Sequence, residues 1–544
     1  MLMKKIFVFI PVFIVVVSLF GQEIEAPASP EFIKWQQEVA NGKTNTGDVP
    51  MYVEPRYNGL AKVKSVNTFD PVYDLRNEGW VTIPKNQGSC GACWTFTSLG
   101  SVESFMLKNG MGTYDFSEQN MRTCHGFVLG TSLTCSGGST KKAAAYLTRM
   151  DGPVADELDL YDADMNALCT EDLPVQYRVE QFKVLPNDPD IVKQSLIDYG
   201  ALYVNMMYDS EFYNSDDYTY YYDGTLSTDH AVLLCGWDDT KVTAGGTGAW
   251  IIKNSWGDSW GENGYFYISY NDTKALSTVG VYPGVGEVQP GDKLYMIDQL
   301  GWIGNVGYGT ELAFGLIRYE ATDNEQINAV GTYVNTEATS ISIEIYQSKS
   351  GNTLTGLLAS VGPVFCDYPG YYKVDLDAPV ELTSGQEFYI KVEYNTPGYG
   401  YPIPYEKYSD GYSDPVIEAG MCWISSSGSL WTLVGNDVAN KERDLCIRAY
   451  TGSIATSNSE VKTEKQEIKI FPQPANDKVY VEYAFDQELN YRIFSVDGRT
   501  VLESGRLNTG KNRINLEQLS SGVYSIIVYN SEGEIQRVEK LIKE

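Results

Sequence analysis

The sequence predicts a multidomain α+β protein in which a mixed domain is followed by two β-sandwich domains. After Cys93, apolar residues recur at helical spacing, which predicts a helix in the first half of the mixed domain. The apolar runs within residues 229–237 and 248–257 predict buried strands in its second half. Beyond residue 290, short alternating segments separated by Gly, Pro, Asn and Asp predict the sandwiches. A chain of 544 residues is long enough for several such domains.

Residues 1–21 have the composition of a secretory signal peptide. Lys4 and Lys5 precede a largely apolar run, and Gly21 supplies a small residue at the expected cleavage point. The run is short for a membrane span, and no second long apolar stretch follows it. The chain carries 41 Lys and Arg against 71 Asp and Glu, and this net charge of −30 opposes binding to nucleic acid. The sequence therefore predicts an exported protein with no nucleic-acid partner.

A reactive cysteine is predicted where a Gly-containing loop runs into the first long helix. Cys93 lies at or near the helix N-terminus, where unpaired backbone N–H groups and the macrodipole favour a thiolate. The chain has only two histidines. His230 opens a buried strand, which holds it as rigidly as a catalytic base requires, whereas His125 falls in a Gly-, Thr- and Ser-rich run that predicts a surface loop. Cys93 and His230 are therefore the candidate nucleophile and base.

Two segments resemble the active-site segments of papain-like cysteine proteases. Residues 87–94, QGSCGACW, match the segment that carries the family's nucleophile, and residues 248–257 match the segment that carries its asparagine. The resemblance implies that Cys93 attacks the scissile carbonyl and that His230 takes and returns the proton. It also implies that Asn254 fixes the plane and tautomer of the imidazole.

The same resemblance implies a two-lobed fold over residues 71–285, with the cleft between a helical and a strand-rich lobe. The Gln87 side chain and the Cys93 backbone N–H correspond to the family's oxyanion hole. No metal or cofactor is expected, and the substrates are proteins or peptides. The residues expected to bind substrate or to flank the site are Gly137, Gly138, Trp256 and Asp229.

Two disulfides are implied in the protease domain, because export permits them. Residues 135–138 resemble the family's Cys-x-Gly-Gly segment, which implies that Cys135 pairs with Cys90. Cys124 is assigned to Cys169, and Cys235, within an apolar strand, is expected to be a free thiol. The following domain contains three cysteines, Cys366, Cys422 and Cys446, so at least one of them has no disulfide partner within that domain.

Residues 22–70 occupy the place where papain-like enzymes carry an inhibitory prosegment. The segment is rich in Pro, Asn and Gly and lacks the long helical pattern of many family prosegments. Two roles therefore stay open at this point. The segment is either a prosegment that inhibits the enzyme or an N-terminal arm that wraps the protease domain.

The remaining chain divides into two β modules joined by a polar linker, residues 453–466. Residues 290–452 resemble the lectin-like domain that follows the papain module in some bacterial surface proteases, and a surface glycan is its candidate ligand. Residues 467–544 resemble the C-terminal sorting domain of type IX secretion, whose partner is the secretion machinery. An ordinary immunoglobulin-like spacer is the alternative for this last module.

The sequence thus predicts a secreted or cell-surface cysteine endopeptidase. The resemblance further implies an apolar or aromatic substrate side chain at the second position before the cleaved bond. Two other functions stay open. One is a surface adhesin or carbohydrate-binding protein with a relic protease fold. The other is a thiol acyltransferase, because an amine can resolve an acyl-enzyme as well as water can.

Overall fold

The computed structural model describes most of the chain in two compact units. The first unit ends at Ile454, and the described residues beyond it form the second. The predicted signal peptide, residues 1–21, and most of the predicted linker, residues 453–466, lie outside the described residues. No helix in the described part is long and apolar enough to cross a membrane. The described ranges are 22–42, 47–59, 68–130, 132–454, 468–472, 474–483, 488–495, 500–530 and 535–543.

The helices of the described residues all belong to the first unit. The predicted helix after Cys93 is present and is buried along nearly its whole length. It packs closely on a strand because Gly100 has no side chain, and a Cβ there would lie 3.0 Å from a Leu233 methyl group. The α-helices are Pro30–Ala40, Leu75–Glu78, Cys93–Lys108, Glu118–Cys124, Thr140–Thr148 and Pro189–Tyr199, with 3-10 turns at Asp156–Leu158 and Ser210–Phe212.

The largest sheet of the first unit has 13 strands and crosses the predicted boundary between the protease and lectin-like domains. The crossing point is an antiparallel pair in which Tyr371 lies opposite Phe182. One further strand, Val72–Asp74, pairs with His230–Thr243. In spatial order the strands are Lys293–Tyr295, Ile447–Ser453, Glu325–Val334, Gly370–Leu382, Tyr177–Leu185, Val279–Glu287, Leu202–Met206, His230–Thr243, Gly246–Lys253, Tyr265–Ser269, Thr219–Tyr220 and Tyr213–Asn214.

Two smaller sheets complete the lectin-like half. The alternating residues Ile341, Ile343 and Ile345 turn one face of the six-stranded sheet into a core shared with Ile327 and Val330, as a sandwich requires. Cys366, Cys422 and Cys446 are free thiols in this half. The six strands are Thr353–Cys366, Thr339–Ser350, Glu387–Asn395, Leu312–Glu320, Cys422–Ser425 and Thr432–Val434, and the other sheet contains Ile24–Glu25, Gly304–Gly307, Ile403–Glu406 and Asp444–Leu445.

The second unit consists of two antiparallel sheets around one apolar core. Val479, Val481, Ile493, Ile526 and Leu541 are buried in that core. The sheets contain Lys469–Phe471, Lys478–Tyr483 and Gly510–Asn515, and Thr500–Leu507, Leu489–Ser495, Gly522–Asn530 and Ile535–Lys543.

A buried ion pair ties the two halves of the first unit together. Arg448 Nε donates to both carboxylate oxygens of Asp298 at 3.0 Å. Arg448 Nη1 donates to the carbonyl and the hydroxyl of Thr148 at 2.9 Å, and Thr148 ends a helix of the protease half. Neither charged side chain is exposed to solvent.

Because the pair is buried, removing one partner leaves an uncompensated charge. We expect Arg448→Met to lower the free energy of unfolding by about 3–5 kcal/mol. The double variant Asp298→Asn/Arg448→Met removes both charges and should recover much of that loss. Urea unfolding of the three proteins, followed by tryptophan fluorescence, measures the difference. A loss below about 1 kcal/mol in the single variant would contradict the assignment.

Candidate active site

Cys93 is the first residue of a 16-residue helix and is almost entirely buried. The Ala231 backbone N–H donates to its sulfur at 3.4 Å. Burial raises the pKa of the Cys93 thiol to about 12, and the charges of Asp48 and Asp229 add to the rise. The backbone N–H groups of Ala231 and Trp94 act in the opposite direction. In this arrangement the thiol is therefore protonated at neutral pH.

His230 and Asn254 lie side by side at the ends of neighbouring strands. His230 Nε2 is 2.9 Å from Asn254 Oδ1, and that oxygen also accepts the Ser255 backbone N–H at 2.9 Å. Because the oxygen is an acceptor, His230 carries its proton on Nε2, and Nδ1 is free to accept another. The Trp256 ring stacks on the imidazole with centroids 4.8 Å apart. Burial lowers the pKa of His230 to about 4.

The β-hairpin of the second lobe explains why these residues meet. The strands His230–Thr243 and Gly246–Lys253 pair antiparallel, with Leu233 opposite Lys253. His230 therefore begins the first strand at the same end at which Asn254 follows the second. The tight turn at residues 244–245 lies at the far end of this hairpin.

Gln87 is fixed between the cysteine loop and the residue after Asn254. Its Nε2 donates to the Cys90 carbonyl at 2.8 Å, and its Oε1 accepts from the Ser255 hydroxyl at 2.5 Å. The Gln87 backbone N–H also donates to the Ser255 carbonyl at 2.8 Å. These contacts set the orientation of the amide and leave the second N–H of Nε2 available. Ser255 was not among the predicted site residues.

The structure contains both implied disulfides, Cys90–Cys135 and Cys124–Cys169. The first joins the loop before Cys93 to the segment that leads into Gly137 and Gly138. Cys235 is a free, buried thiol.

The described residues 22–42 and 47–59 are here called the arm, and residues 47–49 lie in the cleft beside Cys93. Asp48 forms a parallel bridge with Gly138. The Val49 N–H donates to the Gly138 carbonyl at 2.8 Å, and the Gly138 N–H donates to the Gly47 carbonyl at 3.1 Å. The arm thus adds an extended segment to one wall of the cleft.

Glycines make this close passage of the arm feasible. A Cβ on Gly137 would lie 2.1 Å from the Gly47 carbonyl oxygen. A Cβ on Gly47 would lie 1.8 Å from the carbonyl oxygen of Asp229, on the opposite wall. Three of the predicted substrate-binding residues, Gly137, Gly138 and Asp229, therefore face the arm, whereas Trp256 faces the imidazole.

The Asp48 side chain fills a polar pocket in the cleft. Its carboxylate accepts hydrogen bonds from Asn205 Nδ2 at 2.8 Å, the Thr228 hydroxyl at 3.1 Å and the Tyr203 hydroxyl at 3.3 Å. Burial raises the pKa of Asp48 to about 6 and outweighs these hydrogen bonds, and the charge of Glu54 adds to the rise. None of these residues was predicted, because Asp48 lies in a polar, Gly-containing run without periodicity.

Outside the cleft, the arm contacts both halves of the first unit. Its strand Ile24–Glu25 pairs with Gly304–Gly307 of the lectin-like half. Lys141 Nζ of the protease half donates to the Val53 carbonyl at 3.0 Å. Arg56 exchanges backbone hydrogen bonds with the segment 335–337.

The expectation that His125 lies in a surface loop is wrong. His125 is only 3% exposed, and its Nδ1 accepts the Phe127 backbone N–H at 2.9 Å. Its ring contacts the Trp94 ring edge-on at 5.7 Å. The polar run is covered because Phe127 packs in a cluster with Phe32 of the arm and Tyr412 of the lectin-like half. The sequence pattern of one domain does not indicate that residues from other parts of the chain pack over it.

Three family models match the chain. Residues 70–283 match the papain family cysteine protease model, and residues 294–451 match the lectin-like domain model. Residues 469–544 match the secretion system C-terminal sorting domain. The last match indicates the type IX route, so the protein is exported and is secreted or held at the cell surface.

Solved structures share the fold of the first unit. The cysteine protease and lectin-like domains of Cwp84, a surface layer associated protein of Clostridium difficile, align with a TM-score of 0.68 and 23% identity. That alignment covers 79% of this chain and 98% of the other. A structure of clostridial Cwp84 after propeptide cleavage aligns with a TM-score of 0.62 and 24% identity, covering 70% of this chain and 99% of the other.

Curated relatives match the protease part of the chain. The viral cathepsin of Lymantria dispar multicapsid nuclear polyhedrosis virus is 35% identical over 208 residues, or 37% of this chain, and the cathepsin L-like proteinase of Fasciola hepatica is 32% identical over 201 residues, or 36%. The chain spans only 54% and 60% of those two proteins. Testin-2 of Mus musculus is 30% identical over 255 residues, which cover 44% of this chain and 74% of Testin-2. The chain belongs to the papain family of cysteine proteases.

Proposed function

We propose that the protein hydrolyses peptide bonds in proteins or peptides through Cys93, His230 and Asn254. The observation that carries the proposal is the imidazole of His230, which is oriented by Asn254 and covered by Trp256. The Cys93 proton moves to His230 Nδ1, and the sulfur attacks the scissile carbonyl carbon. His230 then returns the proton to the leaving amine, and water resolves the acyl-enzyme.

Two N–H groups are suited to stabilise the oxyanion that forms during the attack. One is the backbone N–H of Cys93, at the N-terminus of its helix. The other is the second N–H of Gln87 Nε2, because the first is bonded to the Cys90 carbonyl. Donors fixed before the reaction are worth about 3–4 kcal/mol each in such sites. Gln87 is fixed in this way because Ser255 binds both its side chain and its backbone.

The arm acts as an inhibitory prosegment in this proposal. With the arm in the cleft, burial keeps the Cys93 thiol and the His230 imidazole neutral. Removing the arm admits water, which lowers the pKa of the thiol and raises that of the imidazole. It also takes away the charge of Asp48, which lowers the pKa of the thiol further. A thiolate–imidazolium pair can then form. The cleaved propeptide named for clostridial Cwp84 supports a removable arm here.

Labelling with an epoxide thiol inhibitor tests the proposal. The full chain is incubated with the inhibitor before and after limited proteolysis of the arm, and the labelled residue is mapped by mass spectrometry. We expect label on Cys93, formed faster after proteolysis, and none on Cys235, which is buried in a strand. A folded, arm-cleaved protein without label on Cys93 would favour the alternative of an adhesin with a relic protease fold.

A pH-dependent component of inhibition is expected from Asp48. Its pKa is about 6 with the arm in place and about 3.9 for a solvated aspartate, so arm binding by this group is strongest below about pH 4 and is lost as pH rises through 6. With these two pKa values, raising the pH from 5 to 8 weakens the binding of the arm in the cleft by about tenfold. His230, with its pKa lowered by burial, acts in the opposite direction, so Asp48 must be isolated by a variant.

Asp48→Asn provides that comparison because the amide does not titrate. The ratio of the Cys93 labelling rate in the unaltered protein to that in Asp48→Asn should be about tenfold higher at pH 8 than at pH 5. Effects of pH on the thiol itself cancel in this ratio. A ratio that does not change with pH would show that placing Asp48 in the cleft does not raise its pKa, which would contradict this prediction.

The second unit is expected to direct export without supporting the protease. The two units have separate cores, so deleting residues 468–544 should leave the first unit folded. We expect the shortened protein to accumulate in the periplasm, where the inhibitor still labels Cys93 after proteolysis. Cell fractionation measures this, and a reporter joined between residues 1–21 and 455–544 is the control for sufficiency. Normal amounts of shortened protein at the cell surface or in the medium would contradict the role.

A further inference from the structure

The pocket around Asp48 presents hydrogen-bond donors whose orientation is fixed by the fold. Asn205 Oδ1 accepts the Thr278 backbone N–H at 2.7 Å. Its Nδ2 must therefore point toward Asp48, to which it donates at 2.8 Å. The hydroxyls of Thr228 and Tyr203 reach the same carboxylate. Three donors, two from the strand Leu202–Met206 and one from the loop that contains Thr228, thus converge on one small acceptor.

The pocket lies close to the reacting atoms. Asn205 pairs across the sheet with Ala231, whose N–H contacts the Cys93 sulfur, and the next pair joins Met206 to His230. The backbone that carries Asp48 is held on both sides by hydrogen bonds to Gly138. A substrate strand bound to the same glycine can direct one side chain into this pocket.

We propose that the pocket of Tyr203, Asn205 and Thr228 makes the enzyme selective for substrates with an aspartate or asparagine close to the cleaved bond. This inference rests on the proposed peptidase function. It differs from the apolar or aromatic preference that the family resemblance implies. The arm, in this view, blocks the enzyme by presenting the side chain that the pocket recognises.

The cost of unpaired donors gives the pocket its selectivity. A leucine or phenylalanine in the pocket would leave the Tyr203 and Thr228 hydroxyls without the acceptor that Asp48 supplies, at about 1–3 kcal/mol for each such group. Asn205 Nδ2 would keep only its bonds to the Thr228 and Thr278 hydroxyls, both at 3.2 Å. The side-chain oxygen of an aspartate or asparagine at the position of Asp48 accepts hydrogen bonds from these groups. Among the described residues that hydrogen-bond Asp48, none carries a positive charge, and burial raises the pKa of Asp48, so a neutral asparagine should be bound at least as well as a charged aspartate.

Peptide profiling of the full chain after limited proteolysis tests the inference. Epoxide labelling of Cys93 first establishes that the enzyme is competent, which tests the proposed function separately. Fluorogenic peptides are then varied at each of the four positions before the cleaved bond. At one position, Asp and Asn should give kcat/KM values at least about tenfold above those of Leu and Phe. A labelled, active enzyme that prefers Leu or Phe at every position overturns the inference.

Thr228→Val identifies the pocket as the source of that selectivity. The change keeps the shape of the side chain and removes only the hydroxyl, whose partners are Asp48 and Asn205. We expect the ratio of Asp to Leu cleavage to fall by about five- to tenfold. Thr240→Val, at an exposed position of the strand His230–Thr243, is the matched control and should leave the ratio unchanged. An unchanged ratio in Thr228→Val would also overturn the inference.

Discussion

Replacing Cys93 with alanine is expected to reduce peptide hydrolysis by about four orders of magnitude or more. The change removes the atom that forms the covalent bond, and His230 and Gln87 cannot supply a substitute. Because the side chain is small and buried, the variant should fold like the unaltered protein. Activity is measured as kcat/KM on an unfolded protein substrate after the arm has been cleaved.

Cys235→Ala is the matched control for this variant. Cys235 is also a free and fully buried thiol, but it lies within the strand His230–Thr243 and its sulfur donates to the Leu233 carbonyl. We expect it to lose some thermal stability and to keep kcat/KM within about twofold. A comparable loss of activity in both variants, with both proteins folded, would mean that the nucleophile has been assigned wrongly.

The residues of the candidate site could be predicted because their chemistry is encoded in short segments. The eight residues 87–94 contain both the loop before Cys93 and the start of its helix. Asn254 is the first residue after an apolar strand. Local patterns of this kind can be recognised in a single sequence. The strand alternation at Ile341, Ile343 and Ile345 was predictable for the same reason, since it reflects one strand and one buried face.

The features that the sequence did not predict depend on contacts between distant segments. The pairing of Tyr371 with Phe182 makes one sheet of two predicted domains, and neither strand shows this in its own pattern. His125 is buried because the arm and the lectin-like half cover a polar run. The polar pocket could not be predicted for the same reason. Tyr203 and Asn205 lie in a strand whose sequence is mostly apolar, and Thr228 lies in a loop.

The path of the arm explains why the sequence leaves its role open. Inhibition requires one extended stretch that fits the cleft, whereas a helical prosegment pattern requires many periodic residues. Gly47 and Asp48 are only two residues in a polar run, and their importance arises from Gly138 and Asn205, far along the chain. A single sequence therefore leaves open whether the segment is an inhibitory prosegment or a structural arm.

Gly47→Ala is expected to activate the full chain without any proteolysis. The new Cβ would lie 1.8 Å from the Asp229 carbonyl oxygen, so either the arm must move away or the backbone just before the strand that begins at His230 must shift. Overpacking of this kind costs about 1–3 kcal/mol or more, so the arm should leave the cleft about 10- to 100-fold more often. The rate at which the epoxide inhibitor labels Cys93 in the intact protein should rise by the same factor.

Gly42→Ala separates this clash from a general disturbance of the arm. Gly42 has φ of +89°, so alanine strains the backbone there, but its Cβ would meet no atom within 4 Å. The Gly42 variant should therefore be labelled at the rate of the unaltered protein, because the part of the arm that fills the cleft is untouched. Equal labelling of Cys93 in all three proteins would mean that residues 47–49 do not block the cleft in solution. Faster labelling in Gly47→Ala alone would assign inhibition to the backbone that passes between Gly138 and Asp229.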